Sequence, residues 1–122
     1  MNMPEDTGQT QIDSPDVIPL QREAIPILVV TRGQEGYVGR EVPILSSPFT
    51  IGRGKATLII KSDKVSRVHA EIDILDDKFW IRDVTSKNGT YVNGVRIEDY
   101  QMIKDDDTIS LGNDIRFHFR VL

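Results

Sequence analysis

The sequence contains no cysteine and only two histidines among its 122 residues. Without cysteine it has neither a disulfide framework nor a thiolate metal site, which is typical of a reducing compartment. Two histidines are also too few for a His-rich metal site. We therefore expect no metal and no other cofactor, and we predict that Asp105, Asp106 and Asp107 form a turn rather than a metal site.

Long hydrophobic runs are missing as well. No stretch approaches the roughly 18 apolar residues that a membrane-spanning helix needs, and the first ten residues, MNMPEDTGQT, are polar and acidic. A secretory signal peptide instead begins with basic residues that are followed by an apolar stretch. The sequence therefore predicts a cytoplasmic protein without a membrane partner.

An excess of positive charge is the third missing feature. The formal net charge is −4, and all of it comes from residues 1–24, where five acids face a single arginine. Residues 25–122 carry 14 acids and 14 bases. Because general nucleic-acid binders usually carry a strongly basic footprint, we expect no nucleic-acid partner.

The acidic leader, residues 1–24, also lacks a regular apolar pattern. It contains three prolines and shows neither helical nor alternating hydrophobicity. Such a segment cannot bury enough apolar surface to offset the entropy that it would lose on ordering. We predict a disordered leader at 1–24 and one folded domain at 25–122, with Thr7 and Thr10 of the leader as candidate phosphorylation sites.

The folded part offers no amphipathic helix of ten or more residues. In IRFHFRV (115–121) every second residue is apolar, and HAEIDIL (69–75) alternates so that Ala70, Ile72 and Ile74 are predicted to face inward. A period of two is typical of half-buried antiparallel strands. Further short apolar runs occur at 27–31, 40–45, 49–53 and 78–84. Separated by Gly, Asn and Asp turns, these runs predict an antiparallel β-sandwich with loops at its two ends.

Individual residues add detail to these strands. Pro43 has no N–H group to donate, so its run is predicted to be an edge strand or a bulge. Phe79 and Trp80 are adjacent, and only one of them can face the core while the other lies on the outer face. His118 falls on the polar face of the last strand, where we expect it to be solvated.

Two Asn-Gly pairs lie five residues apart in TSKNGTYVNG (85–94). Asn-Gly is a strong signal for a tight turn because both residues tolerate positive φ. We predict that Asn93-Gly94 closes a hairpin. The polar residues around Asn88-Gly89 suggest a different role for the first pair.

Cationic, hydroxyl and amide side chains gather in three loop segments, IGRGK (51–55), VSRVHAEI (65–72) and TSKNGTYVNG (85–94). The donors are Arg53, Ser66, Arg67, Lys87 and Asn88, with Lys64 nearby. Each segment begins or ends a predicted strand, so the loops can meet at one end of a sandwich. The planar guanidinium fork suits a pair of phosphate oxygens, and the sequence therefore predicts an anion site.

At these residues the sequence resembles the forkhead-associated (FHA) family of phosphothreonine-peptide-binding β-sandwiches. The family signature is Gly-Arg, then Ser-x-x-His, then Asn-Gly, and here it reads Gly52-Arg53, Ser66-Arg67-Val68-His69 and Asn88-Gly89. The resemblance covers most of residues 27–121. It implies an all-β, FHA/SMAD-like antiparallel sandwich of about eleven short strands, with its binding loops at one end.

The resemblance also implies roles for the loop residues. Arg53 would contact the phosphate directly, Ser66 would donate its hydroxyl to a phosphate oxygen, and Asn88 would bond the peptide backbone. Arg67 and Lys87 would add phosphate or backbone contacts. Lys64 lies at a position where family members often recognise the ligand's third residue after the phosphothreonine. Three further residues would support the site. His69 would connect neighbouring loops, and the small Gly52 and Gly89 would let the backbone segments approach each other.

The function implied is a non-enzymatic adaptor or regulator that binds phosphothreonine-bearing proteins downstream of a Ser/Thr kinase. Thr10 lies three residues before Asp13, so we hypothesise that phosphorylated Thr10 or Thr7 of the leader is itself a ligand, within one chain or between two copies. The main alternative is a phosphate-independent structural module that uses a sheet face. A Ser66-His69-Asp83 hydrolase is disfavoured, because the sequence has no Gly-x-Ser-x-Gly elbow with a following helix.

Overall fold

The computed structural model describes residues 25–122, so the leader with Thr7 and Thr10 lies outside the described residues. Eleven short strands form the regular structure of this part, which confirms the predicted all-β class. They are β1 (Pro26–Arg32), β2 (Glu41–Pro43), β3 (Phe49–Gly52), β4 (Leu58–Ile59), β5 (Ala70–Leu75), β6 (Lys78–Asp83), β7 (Thr90–Val92), β8 (Val95–Arg96), β9 (Gln101–Ile103), β10 (Thr108–Leu111) and β11 (Ile115–Val121). Between Ile25 and Leu122 there is no helix that is long and apolar enough to cross a membrane.

The strands form two sheets of six and five strands. The six-stranded sheet has the order β2-β1-β11-β10-β7-β8, and the five-stranded sheet has the order β4-β3-β5-β6-β9. All neighbours are antiparallel except β3 and β4, which run parallel with Ile51 opposite Leu58. The strand that ends at Pro43 lies at the edge of its sheet, as predicted, because proline cannot donate to a second neighbour.

The core lies between the sheets and follows the predicted alternation. Phe117 and Phe119 of β11 are fully buried, and so is Ile72 of β5. Phe79 is the inward member of the Phe79-Trp80 pair, since its ring meets that of Phe119 edge to face, with the ring centroids 5.5 Å apart. Ile74 lies opposite Phe79 and so shares the inward face, as predicted, but it is 37% exposed because β5 runs beyond the core near its hairpin.

Two hairpins turn on residues with positive φ, and one of them is the predicted Asn93-Gly94 hairpin. Asn93 and Gly94 both have positive φ, 52° and 83°, and join β7 to β8, which confirms the hairpin. Asp76 and Asp77 do the same between β5 and β6, with φ values of 54° and 62°. Asp and Asn tolerate this left-handed region because their short side chains bond locally.

The described chain begins and ends at the same end of the sandwich. Ile25 and Leu122 exchange a pair of backbone hydrogen bonds of 2.9 Å. Strand β1 leads away from this pair toward Arg32, which borders the same cleft as Arg53. The loops that carry the predicted site therefore lie at the opposite end, which we call the rim.

Candidate functional site

Arg53 follows the last residue of β3 and is fixed by the loop that precedes β5. Its backbone N–H donates to the carbonyl of Ser66, and its side-chain Nε donates to the carbonyl of Val65, both at 2.9 Å. No acidic side chain within residues 25–122 forms an ion pair with it. The Nε bond therefore orients the guanidinium while leaving its two terminal nitrogens able to donate to an anion.

Gly52 is the point at which β3 and the Ser66–His69 segment come closest. A Cβ atom at this position would lie 2.0 Å from the carbonyl oxygen of Arg67 and 2.7 Å from its carbonyl carbon. Both atoms belong to the backbone, so no side-chain movement could relieve the overlap. Only glycine permits the contact that places Arg53 beside Ser66.

The hydroxyl of Ser66 joins the second loop to the third. Its Oγ accepts a hydrogen bond of 3.0 Å from the backbone N–H of Lys87. A hydroxyl that accepts from one neighbour retains its own proton for another partner. Ser66 is thus set to donate to an acceptor at the rim.

His69 is completely buried and ties the same two loops together. The backbone N–H of Ser66 donates to Nδ1 at 3.1 Å, and Nε2 lies 2.8 Å from the carbonyl oxygen of Gly89. Because Nδ1 accepts, the ring proton belongs on Nε2, and the neutral imidazole satisfies both loops. Burial lowers the pKa of His69 below its ordinary value of 6.5, although the Gly89 carbonyl and the Asp83 carboxylate raise it.

This arrangement argues against the hydrolase alternative. Both ring nitrogens of His69 are occupied by backbone groups, so neither can take the proton of the Ser66 hydroxyl. The carboxylate of Asp83 accepts from Ser86 and Thr90 rather than from the imidazole. The three residues are neighbours without forming a catalytic relay.

The buried neutral His69 leads to a pH prediction. In the unfolded chain a histidine takes up a proton below about pH 6.5, whereas folded His69 resists protonation until a lower pH. The stability that the protein gains from a neutral, buried His69 is therefore fully present above pH 6.5. This stability is lost as the pH falls below 6.5. We expect the free energy of unfolding, measured in urea at pH 7.5, 6.5 and 5.5, to decline over this range. A His69→Gln variant should lack that part of the decline, and an equal decline in the variant would contradict the assignment.

Asn88 and Gly89 fix the third loop, but the amide of Asn88 already has a partner. Its Nδ2 donates to the carbonyl of Lys64 at 2.7 Å, which brings this loop against the one that contains Ser66. Gly89 has a φ of 88° and accepts from the N–H of Gly112 at 2.9 Å. Gly112, which the sequence analysis missed, lies where a Cβ would come within 3.1 Å of the Asn88 Cβ.

A hydrogen-bond network that was not predicted from the sequence shapes the loop before Asn88. Asp83, at the end of β6, accepts a hydrogen bond from the Ser86 backbone at 2.9 Å, another from the Ser86 hydroxyl, and a third from Thr90 at 2.7 Å. The Ser86 hydroxyl in turn accepts from the N–H of Gly89 at 2.9 Å. Burial raises the pKa of Asp83, but these hydrogen bonds outweigh it and hold the pKa below its ordinary value. An Asp with a hydroxyl residue three positions later is a turn signal that could have revealed this network.

The remaining predicted residues present cationic side chains around this framework. Arg67 and Lys87 are exposed, and neither side chain forms an ion pair within residues 25–122. Lys64 borders one cleft together with Arg53, Arg32 and Lys61, and two acids, Asp63 and Asp114, complete it. The rim therefore carries a net positive charge on a domain that is neutral as a whole. In the part of the chain that the structure describes, no cluster of three His, Cys, Asp or Glu side chains could hold a metal ion.

A two-sheet sandwich that joins three donor-rich loops at one end is the architecture of an anion-recognising interaction domain. The comparison with known families agrees, since the family model for the FHA domain matches residues 49–112. The chain belongs to the FHA-domain family.

Individual relatives support this assignment. The chain is 31% identical over 78 residues to the FHA domain-containing protein FhaB of Mycobacterium tuberculosis, which covers 63% of this chain and 49% of FhaB. Among solved structures, the chain is similar to Mycobacterium tuberculosis EmbR in complex with a low-affinity phosphopeptide. The TM-score is 0.72 at 29% identity, and the match covers 81% of this chain and 25% of the EmbR chain.

An FHA domain solved in a study of phosphothreonine-dependent interactions gives a TM-score of 0.68 at 28% identity, with 79% and 95% of the two chains covered. The chain spans about half the length of the curated FhaB proteins it matches.

Proposed function

We propose that this chain binds phosphothreonine-bearing protein segments as a non-enzymatic adaptor or regulator in Ser/Thr kinase signalling. The observation that carries the proposal is the joint orientation of Arg53 and Ser66. The Nε of Arg53 donates to a backbone carbonyl, which orients the guanidinium, and the Ser66 hydroxyl accepts a hydrogen bond from the backbone of Lys87. Both side chains can therefore donate to a ligand at the rim. A cytoplasmic location remains part of this proposal.

The physical basis is recognition of a doubly charged ester. A phosphothreonine carries a charge of about −1.5 to −2 near neutral pH and three strong acceptor oxygens. Hydrogen bonds to a charged group contribute on the order of 1.5–3 kcal/mol each. Arg53 would hold the phosphate by its terminal nitrogens, Ser66 would add its hydroxyl, and Arg67 and Lys87 would supply further positive charge. The Asn88 carbonyl would face the peptide backbone while its amide holds Lys64.

The FHA family membership supports threonine as the phosphorylated residue. Family members receive the γ-methyl group of threonine beside the phosphate, so a phosphoserine peptide should bind more weakly. One buried methyl contributes about 0.8 kcal/mol, which corresponds to roughly fourfold in affinity.

The proposal is tested with the full chain and a degenerate peptide library in three matched forms. We expect phosphothreonine peptides to bind with micromolar or tighter affinity, phosphoserine peptides more weakly, and unphosphorylated peptides not at all. The readout is calorimetry with NMR shifts at 52–55, 64–69 and 87–89. Equal binding of the unphosphorylated form would instead favour a phosphate-independent module.

Phosphorylated leader residues are part of the same proposal. Thr10 lies about 15 residues before Ile25, and an extended chain of that length reaches about 50 Å. Strand β1, which separates Ile25 from the rim, has seven residues and spans about 23 Å. The disordered leader that the sequence predicts would give the tethered ligand a millimolar effective concentration, so that binding within one chain would compete with other partners. Asp13 would then approach Lys64.

One arm of the library experiment addresses the leader. A peptide of residues 5–16 phosphorylated at Thr10 is titrated into the full chain, with the Thr7-phosphorylated peptide and the unphosphorylated peptide alongside. We expect shifts at the three loops for the Thr10 form and smaller ones for the Thr7 form. If neither phosphorylated peptide shifts the loops while other phosphothreonine peptides do, the leader is not a ligand.

A further inference from the structure

The outer face of the five-stranded sheet carries a row of side chains that the phosphate site does not use. Asp73, Trp80 and Met102 are direct cross-strand partners on β5, β6 and β9, so their side chains share one face. Trp80 is the outward member of the aromatic pair, since Phe79 packs inward on Phe119. Met102 is 44% exposed.

A concave pocket opens beside this row, and we call it the Trp80 pocket. It has a volume of about 370 Å³ and is lined by Ser47, Asp73, Ile74, Leu75, Trp80 and Tyr100. Leu75 is 63% exposed and Tyr100 is 50% exposed, so the apolar part of the lining is left in contact with water. Exposed apolar side chains that gather around a concavity are typical of a contact surface for another molecule.

The single carboxylate in the pocket forms no direct ion pair within residues 25–122, although the guanidinium of Arg82 acts on it from a longer distance. Glu71, the other acid on this face of β5, pairs with Arg82 at 3.3 Å, whereas Asp73 forms no ion pair. Burial raises the pKa of the Tyr100 phenol, and the nearby Asp73 carboxylate raises it further, whereas Arg82 lowers it. The pocket thus combines one negative charge with two aromatic rings.

This combination favours a cation as the occupant. An aromatic ring attracts ammonium and guanidinium groups through the negative potential over its face. Tyr100 already interacts in this way with the chain's own Arg82, whose guanidinium carbon lies 5.7 Å from the ring centroid. A Lys or Arg side chain could also bury its methylene groups against Leu75 and Ile74 while its charged end meets Asp73.

We propose that the Trp80 pocket docks an arginine or lysine side chain of a partner protein, flanked by apolar residues, independently of phosphorylation. The pocket lies toward the Asp76-Asp77 hairpin, away from the rim. A partner could therefore occupy both sites at once. This inference goes beyond phosphothreonine binding and does not depend on it.

The chain supplies its own reporter, because Trp80 is its only tryptophan. The experiment titrates the full chain with acetyl-Leu-Arg-Leu-amide and follows tryptophan fluorescence, with NMR shifts on β5, β6 and β9 as a second readout. The matched probe replaces arginine by citrulline, which keeps the shape and removes the charge. We expect saturable millimolar binding of the arginine peptide, weakened by added salt, and at least about fivefold weaker binding of the citrulline peptide.

Variants locate the binding site. Asp73→Asn should weaken the arginine peptide by about fivefold or more, since it removes only the charge. Asp76→Asn is the matched control, because it removes an equal charge from a nearby exposed turn at which asparagine tolerates positive φ, and it should leave binding unchanged. Arg53→Ala should also leave it unchanged. Equal affinity for the citrulline peptide, insensitivity to Asp73→Asn, or the absence of any saturable signal would each overturn the proposal.

Discussion

Arg53→Ala is expected to weaken the binding of a phosphothreonine peptide by about 100-fold or more. Two terminal N–H groups on one guanidinium can donate to two phosphate oxygens, and each charge-assisted bond contributes on the order of 1.5–3 kcal/mol. Since 1.4 kcal/mol corresponds to tenfold in affinity, the loss of both bonds exceeds 100-fold. The measurement is calorimetric titration of the best peptide from the library.

The stability of the sandwich should barely change in this variant. Arg53 is exposed, and its side chain contributes one hydrogen bond to the Val65 carbonyl. Arg53→Lys should bind with intermediate affinity, because an ammonium keeps the charge but loses the fork and the Nε contact.

Arg120→Ala is the matched charge control for Arg53. Arg120 pairs with Asp105 near the end of β11, at the opposite end from the rim, so its loss removes the same charge from elsewhere. We expect its affinity for the peptide to stay within about twofold of the wild type. If Arg120→Ala weakens binding as much as Arg53→Ala, the effect is one of overall charge, and the assignment of Arg53 fails.

Gly52→Ala should have the largest effect on stability, a loss of about 4 kcal/mol or more. The new methyl group would sit 2.0 Å from the Arg67 carbonyl oxygen, so β3 and the Ser66 loop would have to separate. Domains of this size have only about 5–15 kcal/mol of stability in total. The measurement is the free energy of unfolding in urea, with the fluorescence of Trp80 as the readout.

Gly33→Ala is the control for Gly52→Ala. A Cβ at Gly33 would lie 3.5 Å from its nearest neighbour, an ordinary contact, and the φ of this residue is not positive. The variant should therefore unfold within about 1 kcal/mol of the wild type. A Gly52→Ala protein as stable as Gly33→Ala would show that the backbone contact is not close in solution.

The sequence predicted the sandwich because its strands are locally encoded. The alternation of apolar and polar residues in 115–121 predicts a strand from neighbouring residues alone. The pairs Asn93-Gly94 and Asp76-Asp77 favour a turn because their residues tolerate positive φ. The three loops could likewise be grouped, because strands of a sandwich end at only two places. Roles for Arg53, Ser66 and Asn88 followed from the family resemblance and stay predictions.

The contacts that fix the site could not be predicted in this way. The Nε bond of Arg53 ends on a backbone carbonyl 12 residues away, and every residue has such a carbonyl. The link from Asn88 to Lys64 spans 24 residues and depends on the packing of two loops. Likewise, His118 was expected only to be solvated, but it lies 2.9 Å from Asp106, on a turn whose position depends on the sheet.

The paired backbone bonds between Ile25 and Leu122 have a practical consequence. A fluorophore, tag or surface linker attached next to either residue starts at the end of the sandwich opposite the rim. Immobilising the protein through such an attachment should leave the donor-rich loops open to solution. The same geometry would let the domain be spliced into a loop of a host protein, with its recognition end pointing outward.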